Sequence, residues 1–214
     1  MARTWFGATA AVVAVGIVVQ LFVTAGLEGT PFPDLRGRLL NVFCYFTVQS
    51  NLLVAVTCLL LAVRLDRRST TFWVLRLTAL VAIAVTGIVF HVALKGLQDL
   101  QGAAALADFL LHTLSPLMCV LGFLVLGPRE RITRPIALMA CIFPLCWAVF
   151  AMVRGAFIHF YPYPFIDVDT HGYARVLLNS LLVAVVFVGL SFGALALDRV
   201  LLRTRFSVVE GAGT

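Results

Sequence analysis

Three residues in two apolar segments have the types and spacing that nucleophilic catalysis requires. Thr47 opens a short polar run in one segment, and Asp108 and His112 lie four residues apart in another. On a helix an i, i+4 pair shares one face, so the carboxylate can orient one imidazole nitrogen and leave the other as a base. A threonine hydroxyl needs such a base to become a useful nucleophile. The pattern therefore predicts Thr47 as nucleophile, His112 as general base and Asp108 as the group that orients His112.

The polar run after Thr47 supplies further hydrogen-bonding groups. At helical spacing Thr47, Ser50 and Asn51 share one face, whereas Gln49 points elsewhere. A polar side chain exposed to lipid is unfavourable, so this face should look into the protein or a water-filled cavity. Ser50, Asn51 or the later Arg154 is the predicted donor to an oxyanion.

The elements that position these residues must be membrane helices. Hydrophobic residues make up 62% of the 214-residue chain and charged residues only 12%, with a mean hydropathy of +1.04. Soluble domains have about 45–50% apolar and about 25% charged residues. Several apolar runs reach the ~20 residues that cross a bilayer as a helix. The composition predicts an all-α, polytopic membrane protein with no room for a separate soluble domain.

Six spans account for residues 1–198 of the chain. The predicted transmembrane helices cover residues 5–27, 39–63, 72–97, 106–126, 135–158 and 173–197. The first apolar run is longer than the roughly 7–15 residues of a signal-peptide core, which favours a retained span. Residues 199–214 are predicted to form a tail that ends in disorder.

The distribution of arginine predicts the orientation of the bundle. The N-terminus, the second and fourth loops and the tail are arginine-rich, whereas the other loops hold only Arg36 and Arg38. The positive-inside rule then places both termini in the cytoplasm. The net charge of +6 thus reflects topology, and no nucleic-acid partner is expected. All but one of the 16 basic residues are arginine, which favours a GC-rich bacterial source and a bacterial plasma membrane.

In this orientation five spans carry a polar or ionisable group in the outer third of the membrane. At 1.5 Å per residue, Thr47 lies about 12 Å and His112 about 9 Å below the outer surface. The pattern predicts an internal polar chamber that opens outward. The residues expected to line it and to bind substrate are Ser50, Asn51, His91, Arg154 and Asn179.

Three further features bear on this chamber. Pro116 cannot donate to the carbonyl of His112, so the helix should kink there and make room for a ligand. Arg154 either pairs with Asp108 as a structural strut or binds a lipid carboxylate or phosphate. The aromatic residues of the loop 161–165 are expected to form an interfacial belt that can also cover the chamber.

Two segments resemble the family of androgen-induced and androgen-dependent membrane proteins, including its bacterial six-span relatives. They are Phe46-Thr47 at the start of span 2 and His112-Thr113, followed by Pro116, in span 4. The loop 161–165 is similar to that family's aromatic-proline segment. The resemblance implies hydrolysis of fatty-acid esters of hydroxy fatty acids by a membrane-embedded threonine and histidine, which match Thr47 and His112. It implies a membrane lipid or fatty-acid ester as substrate. No cofactor is expected.

Other interpretations of the same residues stay open. A polar network that only ties helices together would use the same side chains. His91 and His112 at similar depth could hold a haem in an electron carrier, which predicts a Soret band. A zinc site would need more than the sequence offers, since it has no H-x-x-x-H pair, and no metal is expected. The G-x-S-x-G pattern around Ser191 lies inside an apolar span and indicates helix packing.

Overall fold

The computed structural model describes residues 1–129 and 131–211, and side-chain detail extends to Leu202. Over these residues the fold is entirely helical. The helices are α1 Ala2–Ala25, α2 Leu35–Val42, α3 Phe46–Val63, α4 Thr70–Val89, α5 Gly102–Phe109, α6 Ser115–Leu121, α7 Arg134–Ala140, α8 Ile142–Ile158 and α9 Val168–Gly211. Single π-helical turns cover Phe90–Leu94, Leu110–Leu114 and Gly122–Leu126, and a 3-10 turn covers Pro164–Ile166.

Six helical segments are long and apolar enough to cross a membrane. They are Ala2–Ala25, Phe46–Val63, Thr70–Leu94, Gly102–Leu126, Arg134–Ile158 and Val168–Leu202. Large apolar side chains cover their outer faces; Leu177, Leu181 and Val185 on α9, for example, are about 60% exposed or more. Such a surface suits lipid and not water. The chain is an integral multi-pass membrane protein, as its composition predicts.

The α4 helix lies at the centre of the bundle. It packs against α3, α6, α7 and α9, while α1 covers α3 and α5. Small residues allow the closest approaches. A Cβ at Gly87 would lie 3.1 Å from Pro116, and one at Gly16 would lie 2.8 Å from the side chain of Leu111. Both glycines therefore face the turn that carries His112, and they let α1 and α4 close on it from two directions.

The second span begins later than its apolar run predicts. Helix α2 ends at Val42, and Tyr45 has an extended backbone with φ −72° and ψ 135° before α3 starts. The predicted continuous helix over 39–63 is therefore wrong, and Thr47 lies in the first turn of a membrane helix. The depth of about 12 Å predicted for Thr47 is corrected accordingly, because it counted residues of α2 as part of the same span.

Two side chains satisfy the carbonyls that this break leaves open. The Gln49 amide donates to the Phe43 carbonyl at 3.0 Å, and the Trp147 indole donates to the Cys44 carbonyl at 3.0 Å. Unpaired carbonyls in an apolar setting are costly, so these bonds stabilise the break. They also explain why Gln49 points away from the face of Thr47.

The last helix differs from its prediction at both ends. It starts at Val168 and leaves the helical conformation at Gly172, where φ is 73° and ψ is 160°. Glycine adopts this left-handed region without the steric penalty that a Cβ brings. The helix then runs past residue 197 to Gly211, so the predicted tail of 199–214 begins as part of α9. Residues 212–214 of that tail lie outside the described residues.

Candidate active site

Thr47, His112 and Asp108 form one hydrogen-bond chain. Thr47 Oγ1 lies 3.2 Å from His112 Nε2, and His112 Nδ1 lies 3.0 Å from Asp108 Oδ1. The Asp108 carbonyl oxygen is also 3.2 Å from Nδ1. Since both neighbours of Nδ1 are acceptors, that nitrogen carries the proton, and Nε2 presents its lone pair to the threonine hydroxyl. This is the tautomer that a general base for Thr47 requires.

A π-helical turn aims His112 at α3. In this turn the Ser115 N–H bonds to the Leu110 carbonyl, five residues back. The next bond of that register would join Pro116 to Leu111, and proline has no N–H. The Leu111 carbonyl instead accepts from Asn51 Nδ2 at 3.0 Å, and Ser115 Oγ lies 3.4 Å from it. The prediction named the carbonyl of His112 and room for a ligand; in the structure the open carbonyl is that of Leu111, and a side chain of α3 fills it.

Ser50 and Asn51 hold α3 in place instead of facing a substrate. Asn51 Nδ2 also donates to the Thr47 carbonyl at 2.8 Å, and its Oδ1 accepts from Ser115. Ser50 Oγ donates to the Thr47 carbonyl at 3.0 Å and lies 3.0 Å from Thr86 Oγ1. Both side chains are fully buried. Because their donors are engaged by carbonyls, the predicted oxyanion role of these two residues does not fit the geometry.

Tyr163 is the contact of Thr47 that the sequence does not reveal. Its hydroxyl oxygen lies 3.0 Å from the Thr47 N–H and 3.1 Å from Thr47 Oγ1. The amide sits in the first turn of α3 and has no helical acceptor, so the phenol oxygen caps it. With that oxygen accepting from the amide, its own proton is free to point at Oγ1. One continuous relay then runs from Tyr163 through Thr47 and His112 to Asp108.

The loop before α9 turns Tyr163 inward. The ring stacks on Phe165 with centroids 5.4 Å apart and meets Tyr45 and Trp147 at 5.7 and 5.8 Å. Tyr163 is 9% exposed, so the predicted interfacial belt does not include it. Burial raises the pKa of Tyr163 to about 12, which keeps its hydroxyl neutral. The prolines on either side of it are the available sequence signal, because they fix the backbone and remove two donors.

Arg154 and Asn179 anchor that loop and lie outside the Thr47 chain. Arg154 Nη2 donates to Asn41 Oδ1 at 2.8 Å, and its guanidinium packs over the rings of Phe32 and Phe160 at 5.5 and 5.7 Å. Asn179 Nδ2 donates to the Phe165 carbonyl at 2.7 Å. The strut predicted between Arg154 and Asp108 is absent from the described contacts, since the carboxylate of Asp108 engages His112.

His91 stands apart from the chain as well. It is exposed, its Nδ1 lies 2.8 Å from the Gly87 carbonyl, and its Nε2 lies 3.4 Å from Thr113 Oγ1. The Phe90 ring stacks on His112 with centroids 4.3 Å apart and meets the edge of His91 at 5.1 Å. Within the described residues no group of three or more metal-ligating side chains comes together. The predicted chamber is thus a narrow relay, with His91 on its outside.

The relay is partly exposed at its His112 and Asp108 end. The side chains of His112 and Asp108 are 19% and 24% exposed, whereas Thr47 is 6% exposed. A buried hydroxyl beside a partly open imidazole can meet a reactant that enters along the histidine. Fold and site together define a multi-pass helical membrane protein with a Thr–His–Asp relay at one end of its bundle. No family model, no curated protein and no solved structure matches the chain, and the family resemblance stays a prediction.

Proposed function

We propose that this protein is an integral-membrane hydrolase that cleaves lipid esters with Thr47 as its nucleophile. The observation that carries the proposal is the relay itself: a threonine hydroxyl on the free nitrogen of an imidazole whose other nitrogen is held by a carboxylate. Nucleophile, base and orienting group at these distances are the arrangement that activates a weak hydroxyl. The resemblance to the androgen-induced protein family supports the same threonine and histidine.

The proposed reaction has two halves. Thr47 Oγ1 attacks the ester carbonyl while His112 Nε2 takes its proton, and the imidazolium then protonates the departing alcohol. An acyl-threonine remains, and water activated by His112 releases the fatty acid and restores the hydroxyl. Asp108 holds the imidazole in one tautomer and stabilises its charged form throughout. The Tyr163 hydroxyl is the neutral donor beside the reacting oxygen and would stabilise the developing oxyanion.

The setting supports a lipid as substrate. Leu106 and Phe109, on the helix that carries Asp108, are 47% and 50% exposed and present an apolar surface next to the partly open imidazole. An acyl chain in the bilayer can lie against that surface while its ester reaches the relay. We place the protein in a bacterial plasma membrane with both termini cytoplasmic, on the strength of its arginine distribution. The relay would then lie near the outer leaflet.

A fluorophosphonate probe tests the proposal, because it marks hydroxyls that an adjacent base activates. The purified protein in detergent is compared with Thr47→Ala, His112→Ala and Ser191→Ala. Ser191 is a matched control, since it is buried and lies in a G-x-S-x-G pattern without a histidine partner. Labelling of the wild type and of Ser191→Ala, and none in the other two folded variants, is the expected result.

Labelling that survives Thr47→Ala would overturn the proposal. A folded wild type that is never labelled and does not cleave fluorogenic fatty-acid esters would favour the structural network instead. An absorption spectrum of the same sample covers the haem interpretation, which a Soret band would support.

A further inference from the structure

Arg76 is a buried cation inside a membrane span. It lies in the segment Thr70–Leu94 and is only 5% exposed. Within the residues that have described side chains, no carboxylate lies within ion-pair distance of it. An unpaired charge at membrane depth is strongly unfavourable, and such residues usually serve a function. Arg76 therefore requires a neutralising group other than a carboxylate.

Two cysteines are the polar neighbours of this guanidinium. Arg76 Nη1 lies 3.3 Å from Cys58 Sγ and 3.6 Å from Cys119 Sγ. Both are buried, with at most 1% of their surface exposed. The Phe6 ring lies 5.5 Å below the guanidinium, and Nη2 has no described partner. Both sulfurs therefore lie against the same nitrogen of a guanidinium that has no described carboxylate partner.

A thiolate at one of these cysteines would supply the missing negative charge. A neighbouring cation favours the deprotonated form of a cysteine, and the thiolate is the form that reacts with oxidants. A cavity of about 10 Å³, the room of one water molecule, borders Arg76 and is also lined by Trp73 and Phe123. This cavity reaches the guanidinium and not the sulfurs, since neither cysteine lines it. Cys58 is the nearer sulfur and the better placed to carry the charge.

We propose that Cys58 and Cys119 form an oxidation site for small hydroperoxides, with Arg76 holding Cys58 as a thiolate. The thiolate attacks one oxygen of hydrogen peroxide, the O–O bond breaks, and hydroxide leaves with a proton as water. The resulting sulfenic acid condenses with the Cys119 thiol, releasing a second water. The two sulfurs lose two electrons and the peroxide gains them. The disulfide would join α3, which carries Thr47, to α6, which follows the His112 turn. This oxidation site does not depend on the proposed hydrolase activity.

The test uses a protein in which Cys44, Cys141 and Cys146 are changed to serine, so that only the buried pair remains. After exposure to hydrogen peroxide in detergent, intact mass spectrometry should show the loss of two hydrogen masses, reversed by a reductant. Adding Cys119→Ser should stop that loss and leave a sulfenic acid on Cys58 that dimedone traps. A folded protein whose pair stays reduced under peroxide would overturn the proposal.

Arg76→Gln and Arg76→Lys separate the role of the charge from that of packing. Arg76→Gln should slow oxidation of the pair by roughly tenfold or more, and Arg76→Lys should keep most of the rate because it keeps the cation. Equal rates in the two variants would overturn the part played by Arg76. Should Arg76→Gln fail to give a monodisperse protein, oxidation of the pair is compared with that of a variant whose only cysteine is the exposed Cys146. The pair should react faster despite its burial, and a slower pair would overturn the part played by Arg76.

Discussion

Tyr163 and Thr47 share two contacts through one hydroxyl group. The phenol oxygen lies 3.1 Å from Thr47 Oγ1 and 3.0 Å from the Thr47 N–H, so a loop residue contacts both the candidate nucleophile and the open end of its helix. The first contact bears on reactivity and the second on stability. The two roles can be separated experimentally, because one is read by probe labelling and the other by unfolding.

Tyr163→Phe should reduce both quantities. Without the hydroxyl, Thr47 Oγ1 loses its neutral donor, and the rate of fluorophosphonate labelling should fall roughly 100-fold, the usual effect of one oxyanion donor. The Thr47 amide loses its cap, which should lower the free energy of unfolding by about 1–2 kcal/mol. Tyr161→Phe in the same loop is the control and should label like the wild type. If Tyr163→Phe is labelled at the wild-type rate, Tyr163 only caps the Thr47 amide.

Asp108→Asn should leave the relay in place but disable it. An asparagine can turn its NH₂ group toward His112 Nδ1 in competition with the backbone carbonyl of residue 108, and it then favours the tautomer with the proton on Nε2. His112 would no longer accept from Thr47, and labelling should fall by roughly 10²–10⁴-fold. Asp99→Asn is the matched control, because Asp99 is an exposed carboxylate in the loop before α5. If Asp108→Asn labels as fast as Asp99→Asn, the carboxylate does not set the tautomer.

The six spans and the pairing of Thr47 with His112 could both be predicted from the sequence, for different physical reasons. Apolar runs of about 20 residues are a direct consequence of bilayer thickness. Asp108 and His112 share a face through helical periodicity alone. The meeting of His112 with Thr47 is predicted from chemistry and from the resemblance, whereas the bond that joins their two elements, from Asn51 Nδ2 to the Leu111 carbonyl, follows from no local pattern.

The break before α3 and the contact of Tyr163 with Thr47 could not be predicted from the sequence. Residues 43–45 contain neither proline nor glycine, and the carbonyls that they expose are satisfied by Gln49 and by Trp147, about one hundred residues away along the chain. The same holds for Arg76, which is isolated in an apolar run: its position signals a buried charge, but only the fold brings Cys58 and Cys119 to it. Long-range partners decide these features, and periodicity carries no information about them.

Gly155→Ala should disturb the site from a distance. A Cβ at this position of α8 would collide with the ring of Tyr161, two residues before Tyr163. Relief of that overlap requires the loop to move, which should cost about 1–3 kcal/mol and pull Tyr163 from Thr47. Thermal unfolding and probe labelling should therefore both decline. Gly189→Ala is the matched control, because a Cβ there meets nothing within 4 Å, and it should keep or slightly raise the stability.

The ionisation of Tyr163 predicts a loss of stability in strong alkali. Burial raises its pKa from 10.0 to about 12, so below pH 10 the hydroxyl is protonated in both the folded and unfolded states and stability does not depend on it. Between pH 10 and about 12 the unfolded chain releases this proton and the folded protein retains it. The unfolded state is then favoured as the pH rises, by about 2–3 kcal/mol in total. Tyr163→Phe lacks the proton, so its melting temperature should fall less between pH 9 and pH 12 than that of the wild type. Parallel melting curves for the two proteins over that range would show that the phenol is not buried, and would remove Tyr163 from the relay.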